Sequence, residues 1–358
     1  MRYILTINPG STSTKVAVFQ LSGNDSAAVQ QLVYQNIEHA SEVLKQHKEL
    51  LDQIGLRTAC IMELLQAQKI SKLDCIVSRG GLVRPVAAGS YEINQQMLDD
   101  LQQGRYGAHA SNLGALIADE LRQKFNCPAL IVDPVSVDEF TPLARYSGLP
   151  GMERRSQSHA LNIRATARVA AHDLGLRMEE ANFVVVHLGG GISIVPLQHG
   201  RILDTNNAND GGPFSPQRSG SLPVTQLVKL AYSRQYQTAK ELIYKLNREA
   251  GLLGYLGTDS GKEIVARINN GDKQAEEVLR AMAYQIAKEI GAMATVLQGK
   301  VDAIIVTGGL ARPPLMDWLQ ASVAWIAPVH AYPGEREQEA LAAAGARFLC
   351  GEEKLRKY

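Results

Sequence analysis

Cysteine is scarce and scattered. Cys60, Cys75, Cys127 and Cys350 are the only four among 358 residues, and no two form a CxxC pair. That spacing argues against a zinc site or a disulfide framework and is what reduced thiols in a cytoplasmic protein would show. Net charge is equally lacking: 37 Lys+Arg against 36 Asp+Glu give a formal charge of +1. No global field therefore draws the chain to nucleic acid or an anionic membrane, and no basic run with interleaved aromatics supplies a local one. Long apolar runs are missing too. No uninterrupted segment approaches the ~20 residues that span a bilayer. The apolar start Tyr3-Ile4-Leu5-Thr6-Ile7 is broken by Asn8-Pro9-Gly10, too short for a signal sequence. The expectation is a cytoplasmic protein with neither a nucleic acid nor a membrane as partner.

What is present starts at the same place. Ile4–Ile7 is an apolar strand that runs into Asn8-Pro9-Gly10-Ser11-Thr12-Ser13-Thr14-Lys15, and a second apolar strand follows from Val16 to Phe19. Such a turn offers backbone N–H groups, hydroxyls and an ammonium to one anion, which suits a polyphosphate. Half a chain later the pattern returns as Phe183–Leu188, Gly189-Gly190-Gly191 and Ile192–Val195. One glycine-rich hairpin is weak evidence; two in corresponding halves predict a duplicated domain with phosphate held between the copies. Strand and helix signals alternate elsewhere. Strands are predicted around 73–77, 129–132 and 301–306, and helices over 108–125, 162–174, 273–297 and 339–349. The alternation argues for an α/β architecture, and a chain this long has room for two domains. Segment 143–158, rich in Gly, Pro, Arg and Ser, is the expected crossing between them. The irregular stretch from Thr205 to Leu222 is long enough to be functional or disordered.

In both hairpins and in the turn Thr307-Gly308-Gly309 the chain resembles the acetate kinase family, and within it the butyrate kinase type. Further motifs carry the likeness: Ser78-Arg79-Gly80-Gly81-Leu82, Asn206-Asn207, Gly212-Pro213-Phe214-Ser215-Pro216-Gln217-Arg218-Ser219-Gly220, and Pro333-Gly334-Glu335 with Glu337 and Glu339. They come in the family's order and cover nearly the whole chain. The resemblance implies duplicated ribonuclease-H-like (actin-like) domains flanking a cleft for ATP and Mg²⁺, at 1–148 and 149–334, with the C-terminal helix of 335–358 packing back on the first. It also implies reversible transfer of the γ-phosphoryl group of ATP to a short-chain carboxylate, butyrate first, giving the acyl phosphate and ADP. Acetate, propionate or a branched acid are alternative acceptors, since one methylene in an apolar pocket discriminates by only ~1–3 kcal/mol. A homodimer is implied by the family alone.

A carboxylic acid with a pKa of ~4–5 is already ionised at neutral pH, so the nucleophile needs no general base. The difficulty is bringing two anions together, since unit like charges at ~4 Å repel by about 4 kcal/mol at an effective dielectric of ~20. Arginines, a histidine and a metal carboxylate are therefore the groups to look for. Arg79, between a predicted strand and Gly80-Gly81, can project into a cleft from a rigid edge; by the resemblance it binds the acceptor or the transferring phosphoryl. The bland alternative is a surface arginine beside a turn. Arg218 lies in the irregular stretch, where a mobile arginine can close over the phosphoryl group as an internal arginine finger.

The resemblance assigns Asp133 to positioning, against a plain turn cap, and His159 to donation toward the phosphoryl group. His109 is expected to shape the acceptor pocket or cap a helix, and His39, His47, His172, His199 and His330 read as structural. Asn8, Ser11, Ser13 and Lys15 form the first phosphate hairpin; His187, Gly189, Gly190 and Gly191 form the second. Many acetate kinases carry Asn at the middle glycine, so here backbone N–H groups must serve. Gly308 and Gly309 are expected to let the backbone lie close to adenosine. Asn8 and Glu339, with Glu337 as second choice, are expected on the metal side; Mg²⁺ keeps several waters, so one or two protein ligands suffice.

Gly257–Lys262 is similar to a P-loop only at first sight. Leu256 stands where the spacing needs Gly, and Glu263 where it needs Ser or Thr; the stretch reads as a loop near the nucleotide. Closure of the two halves around ATP is expected to exclude water, a competing acceptor. The competing reading from another class is a non-catalytic nucleotide-binding regulator on the same fold. Arg79, Asp133, His159 and Arg218 argue against it, as does the lack of a DNA-binding module ahead of the first strand.

Overall fold

The first apolar run is a strand buried on both faces from Ile4 onward, as a central strand of a covered sheet should be. In the computed structural model, which describes every residue except Lys45 and Lys48, the chain begins β1 (Arg2–Pro9), β2 (Ser13–Leu21), β3 (Val29–Glu38), α1 (Ser41–Leu44), α2 (Gln53–Ala67), β4 (Cys75–Arg79). It continues β5 (Ser90–Glu92), α3 (Gln95–Gln102), α4 (Leu113–Phe125), β6 (Ala129–Val132), α5 (Ala160–Asp173), β7 (Asn182–Leu188), β8 (Ile192–Gln198), β9 (Arg201–Ile202). The remainder is mainly helical: α6 (Val224–Ala231), α7 (Ala239–Arg248), α8 (Gly251–Leu256), α9 (Gly261–Asn269), α10 (Lys273–Val296), β10 (Ala303–Gly308), α11 (Leu315–Val323), β11 (Val329–Pro333) and α12 (Glu337–Leu349). These elements form two compact units: Met1–Asp138 joined by Arg336–Tyr358, and Glu139–Glu335. Segment 143–158 belongs to the second unit, where Arg154 donates to Asp204, to Ala144 O and to Thr205 O.

In the first unit the sheet order is β3-β2-β1-β4-β6-β5. Strands β3, β2 and β1 are antiparallel, and β1, β4 and β6 parallel. Side-chain alternation divides the burial. Leu5 and Ile7 join Ile61, Leu65, Leu113 and Ile117 of α2 and α4 in one apolar cluster, while Thr6 on the opposite face hydrogen-bonds Gln338 of α12. The last helix thus completes the layer that the first strand needs.

The second unit repeats the plan with the order β11-β10-β7-β8-β9. Strands β9, β8 and β7 are antiparallel, and β7, β10 and β11 parallel. The two ladders β3-β2-β1-β4-β6 and β9-β8-β7-β10-β11 correspond strand for strand, so the duplicated α/β architecture expected from the paired hairpins is the one adopted. The predicted stripe on α10 is the core-facing one: Leu279, Met282, Ile286 and Ile290 cluster with Val184, Val186, Ile192 and Ile194. On the other face α5 meets β10, where Thr166 Oγ1 donates to Thr307 Oγ1 at 3.3 Å.

Candidate active site

In the first unit the candidate side chains collect where β1 and β4 end. Asn8 and Lys15 face each other across the β1–β2 hairpin, and the turn between them folds back with Gly10 N–H donating to Ser13 O at 2.7 Å. The Asn8 side chain is buried; its amide donates to Glu337 Oε2. Arg79, the last residue of β4, brings Nη1 to 3.4 Å from the same oxygen. One carboxylate oxygen, 5 % exposed as a residue and in the first turn of α12, therefore receives an amide and a guanidinium. The helix N-terminus adds its own positive end to that carboxylate. Glu339, the first choice from sequence, is exposed and takes no part in this cluster. The reason is helical phase: Leu341, Ala342 and Gly345 bury one face of α12, and Glu337 lies one turn before Leu341 on it.

Asp133 follows β6, whose Val132 is in register with Arg79. It is buried, with φ at +38°, a conformation that aspartate tolerates better than most residues. Its Oδ1 accepts from Gly89 N–H at 2.8 Å, and its own N–H donates back to Gly89 O. His109 caps the short turn Ala110–Asn112 through Nδ1, which accepts from Ser111 N–H.

In the second unit the corresponding hairpin carries a stacked histidine pair. The rings of His159 and His187 lie 4.0 Å apart and 16° from parallel. His187, the penultimate residue of β7, is buried, and its Nδ1 lies 2.8 Å from Asn162 Nδ2. His159, at the start of α5, has Nδ1 2.9 Å from Ser193 Oγ. Gly308 presses on the same hairpin: at φ +100° it lies so close that a Cβ there would come within 2.3 Å of Leu188 O. The two glycine turns, Gly189–Gly191 and Gly308–Gly309, are thus neighbours.

The stretch from Thr205 to Leu222 contains no helix or strand but is braced throughout. Asn206 bonds both Ile194 N–H and Ile192 O of β8. Ser215 Oγ donates to Gly190 O at 2.7 Å, and Leu252 N–H and Ala250 N–H reach Ser215 O and Gln217 O. This bracing sets Arg218 against the glycine turn: an ideal Cβ on Gly191 would sit 2.8 Å from its Cζ. Burial first, and then Arg248, push the Arg218 pKa down to about 10, so it stays charged at neutral pH. Among the described residues it forms no ion pair. A desolvated cation beside a second arginine and without an acid is a place for an anion.

Gly190 has room for a side chain, since its ideal Cβ comes no closer than 3.6 Å to Gln217. Gln217 in turn donates to Asp259 at 2.7 Å, which links the Gly257–Ser260 loop to the glycine turn.

The sequence comparisons decide the family. The acetokinase family profile matches residues 152–313. A protein named probable butyrate kinase 2 from Caldanaerobacter subterraneus subsp. tengcongensis is 46 % identical over 358 residues, covering 99 % of each chain. One named probable butyrate kinase from Clostridium botulinum (strain Alaska E43 / Type E3) is 44 % identical over 359, again covering 99 % of each. The chain belongs to the acetokinase family. The fold agrees: the acetate kinase of Porphyromonas gingivalis superposes with a TM-score of 0.78 at 17 % identity, over 98 % of this chain and 100 % of that one. A propionate kinase from Francisella tularensis subsp. tularensis SCHU S4 gives 0.76 at 18 %, over 96 % and 99 %. Membership in the acetokinase family carries ATP-dependent phosphorylation of a short-chain carboxylate.

For an acetokinase, several of the groups described above have no sequence signal of their own. Asn162, Ser193 and Ser215 orient His187, His159 and Arg218, and each reads from sequence as an ordinary helix, strand or loop residue. The Gly191–Arg218 contact is directly testable. Gly191→Ala puts a methyl group against a flexible guanidinium, which moves aside with little effect on folding. We expect kcat to fall by about tenfold or more, as a small misplacement of a catalytic group does, with an unchanged thermal midpoint; steady-state kinetics beside a melting curve checks both.

Proposed function

We propose that this acetokinase transfers the γ-phosphoryl group of ATP directly to butyrate, reversibly. A bond forms between a butyrate oxygen and the γ-phosphorus while the bond to the β,γ-bridging oxygen breaks; ADP leaves with that electron pair. No proton need move, because the acceptor is already ionised. The choice of acid rests on the two relatives named probable butyrate kinase. The observation that carries the chemistry is Arg218, a half-buried, partly desolvated cation with no acid partner among the described residues, beside a glycine turn, as a reaction between two anions requires.

The roles proposed for each residue are those that the family resemblance implies. Asn8, Ser11, Ser13 and Lys15 hold phosphate oxygens at the first turn. His187 with Gly189, Gly190 and Gly191 does so at the second, and Gly308 and Gly309 admit adenosine. Arg79 binds the acceptor carboxylate or the transferring group, Asp133 fixes the loop at Gly89 beside it, and His159, held by Ser193, donates to the phosphoryl group. Mg²⁺ suits Asn8 and Glu337: a hard cation that keeps most of its waters needs only one or two oxygen ligands. When bound it neutralises phosphate charge. Among the described residues no group of three or more His, Cys, Asp or Glu could form a richer metal site.

A cytoplasmic location is proposed on the four free cysteines; no helix among the described residues is long and apolar enough to cross a membrane. A homodimer is proposed from the family resemblance, and sedimentation equilibrium should return twice the chain mass.

The deciding experiment is an acyl-phosphate assay with ATP and Mg²⁺, trapping product as the hydroxamate, over acetate, propionate, butyrate, isobutyrate and valerate. A kcat/KM peak at butyrate supports the proposal. A peak at another acid keeps the chemistry and changes the acceptor, and turnover of none would favour a nucleotide-binding regulator.

A further inference from the structure

The largest fully buried side chain among the described residues is an arginine. Arg57, on α2, is 0 % exposed and has no carboxylate partner among the described residues. Its donors make five hydrogen bonds to four neutral acceptors. Nε and Nη2 donate to Gln53 Oε1 at 3.2 and 2.9 Å, one turn back on the same helix. The other three contacts reach the first hairpin: Nη1 to Ser13 O at 2.9 Å and Thr14 Oγ1 at 2.8 Å, and Nη2 to Ser11 O at 3.3 Å. An isolated buried cation is expensive unless something balances it. Here no carboxylate among the described residues pairs with it.

The same contacts determine how the turn faces outward. Ser11 O and Ser13 O are held by Arg57, and Thr12 O accepts the His39 N–H at 2.8 Å. Thr14 Oγ1 lies 2.9 Å from His39 Nε2, which closes the cluster. In a trans peptide the N–H points opposite to the C=O before it. Pinning the carbonyls of Ser11 and Thr12 inward therefore turns the N–H groups of Thr12 and Ser13 away from Arg57. Among the described residues neither Ser11 N–H nor Thr12 N–H meets a protein acceptor. Successive N–H groups aimed one way form an anion-binding concavity.

We propose that Arg57 is the positioning residue of the first phosphate turn, fixing its carbonyls from behind while the phosphate chain of the nucleotide balances its buried charge. The inference rests on reading residues 8–15 as a phosphate turn. Arg57 never touches the ligand; it acts through the peptide groups it holds and through its charge. Burial holds its pKa below the ordinary arginine value, yet guanidinium remains charged at any physiological pH.

The test is calorimetric binding of ADP and of adenosine to the intact protein, because only ADP engages the turn. Arg57→Lys keeps the charge but loses the planar fork. ADP should bind about tenfold more weakly, the effect of losing one or two hydrogen bonds to a charged group, and adenosine within about twofold of the parent, as a group remote from the nucleoside requires. Thr14→Val, nearly isosteric, removes one acceptor and should give a smaller loss with the same selectivity; it carries the test if Arg57→Lys does not fold. Equal loss of ADP and adenosine binding, or no loss of either, overturns the proposal. Lys15→Met separates the two layers of inference. If it weakens ADP selectively while the Arg57 and Thr14 variants do not, the phosphate turn stands and Arg57 is structural. If the parent protein binds ADP no better than adenosine, both readings fall.

Discussion

Arg218→Ala is expected to lower kcat by about three orders of magnitude or more, the scale on which arginine fingers act, while KM for ATP moves by only a few-fold. The split follows from where the charge is needed. Two anions meet only at the transferring phosphoryl group, and the proposed function puts that group at the Gly189–Gly191 turn, against which Arg218 lies. Alanine should not collapse the site, because the loop is held by backbone and by Ser215, not by the guanidinium. Lysine should restore only part of the rate: it returns a point charge but not a planar pair of donors. Steady-state kinetics in both directions reads this out. A large rise in KM with kcat unchanged would mean that Arg218 contributes ground-state binding alone.

Glu337→Gln should give the second-largest loss, about a hundredfold in kcat/KM for Mg–ATP, at least the loss seen when a hydrogen-bond partner of a metal ligand is altered. The change keeps shape and removes charge from the oxygen on which Asn8 and Arg79 converge. Arg79 is then left partly buried without its carboxylate. Glu339→Gln, two residues on and exposed, should stay within about twofold, as surface changes away from a site do. The Mg²⁺ dependence sharpens the comparison: the concentration giving half-maximal rate should rise for Glu337→Gln and not for Glu339→Gln. The reverse pattern would return the metal-side role to Glu339.

What could be read in advance depended on the range of the interaction. Local periodicity exposed both hairpins, the stripe on α10 and the irregular stretch after Ile202, because strand alternation and helical spacing act within a few residues. The choice between Glu337 and Glu339 turned on where α12 begins, and helix ends are the least legible feature of a chain. Starting the helix two residues earlier puts Glu337 one turn before Leu341, on the buried face, and Glu339 outside. The irregular stretch was recognisable but its bracing was not, since Ser215 meets Gly190 only through tertiary contact. Arg57 was invisible for the same reason. An arginine on a helix with Gln four residues before it looks solvated, and its other acceptors lie 43 to 46 residues away in sequence.

The central claim is direct attack of the carboxylate on the γ-phosphorus, and labelled oxygen tests it most directly. The protein would be incubated with ATP, Mg²⁺ and butyrate carrying heavy oxygen in both carboxylate positions, with the product followed by phosphorus NMR. The account predicts butyryl phosphate whose phosphorus resonance carries the isotope shift of one bound heavy oxygen, formed in step with ADP. Release of ADP with unlabelled inorganic phosphate and no acyl phosphate would contradict it, since water rather than the carboxylate would then be the acceptor.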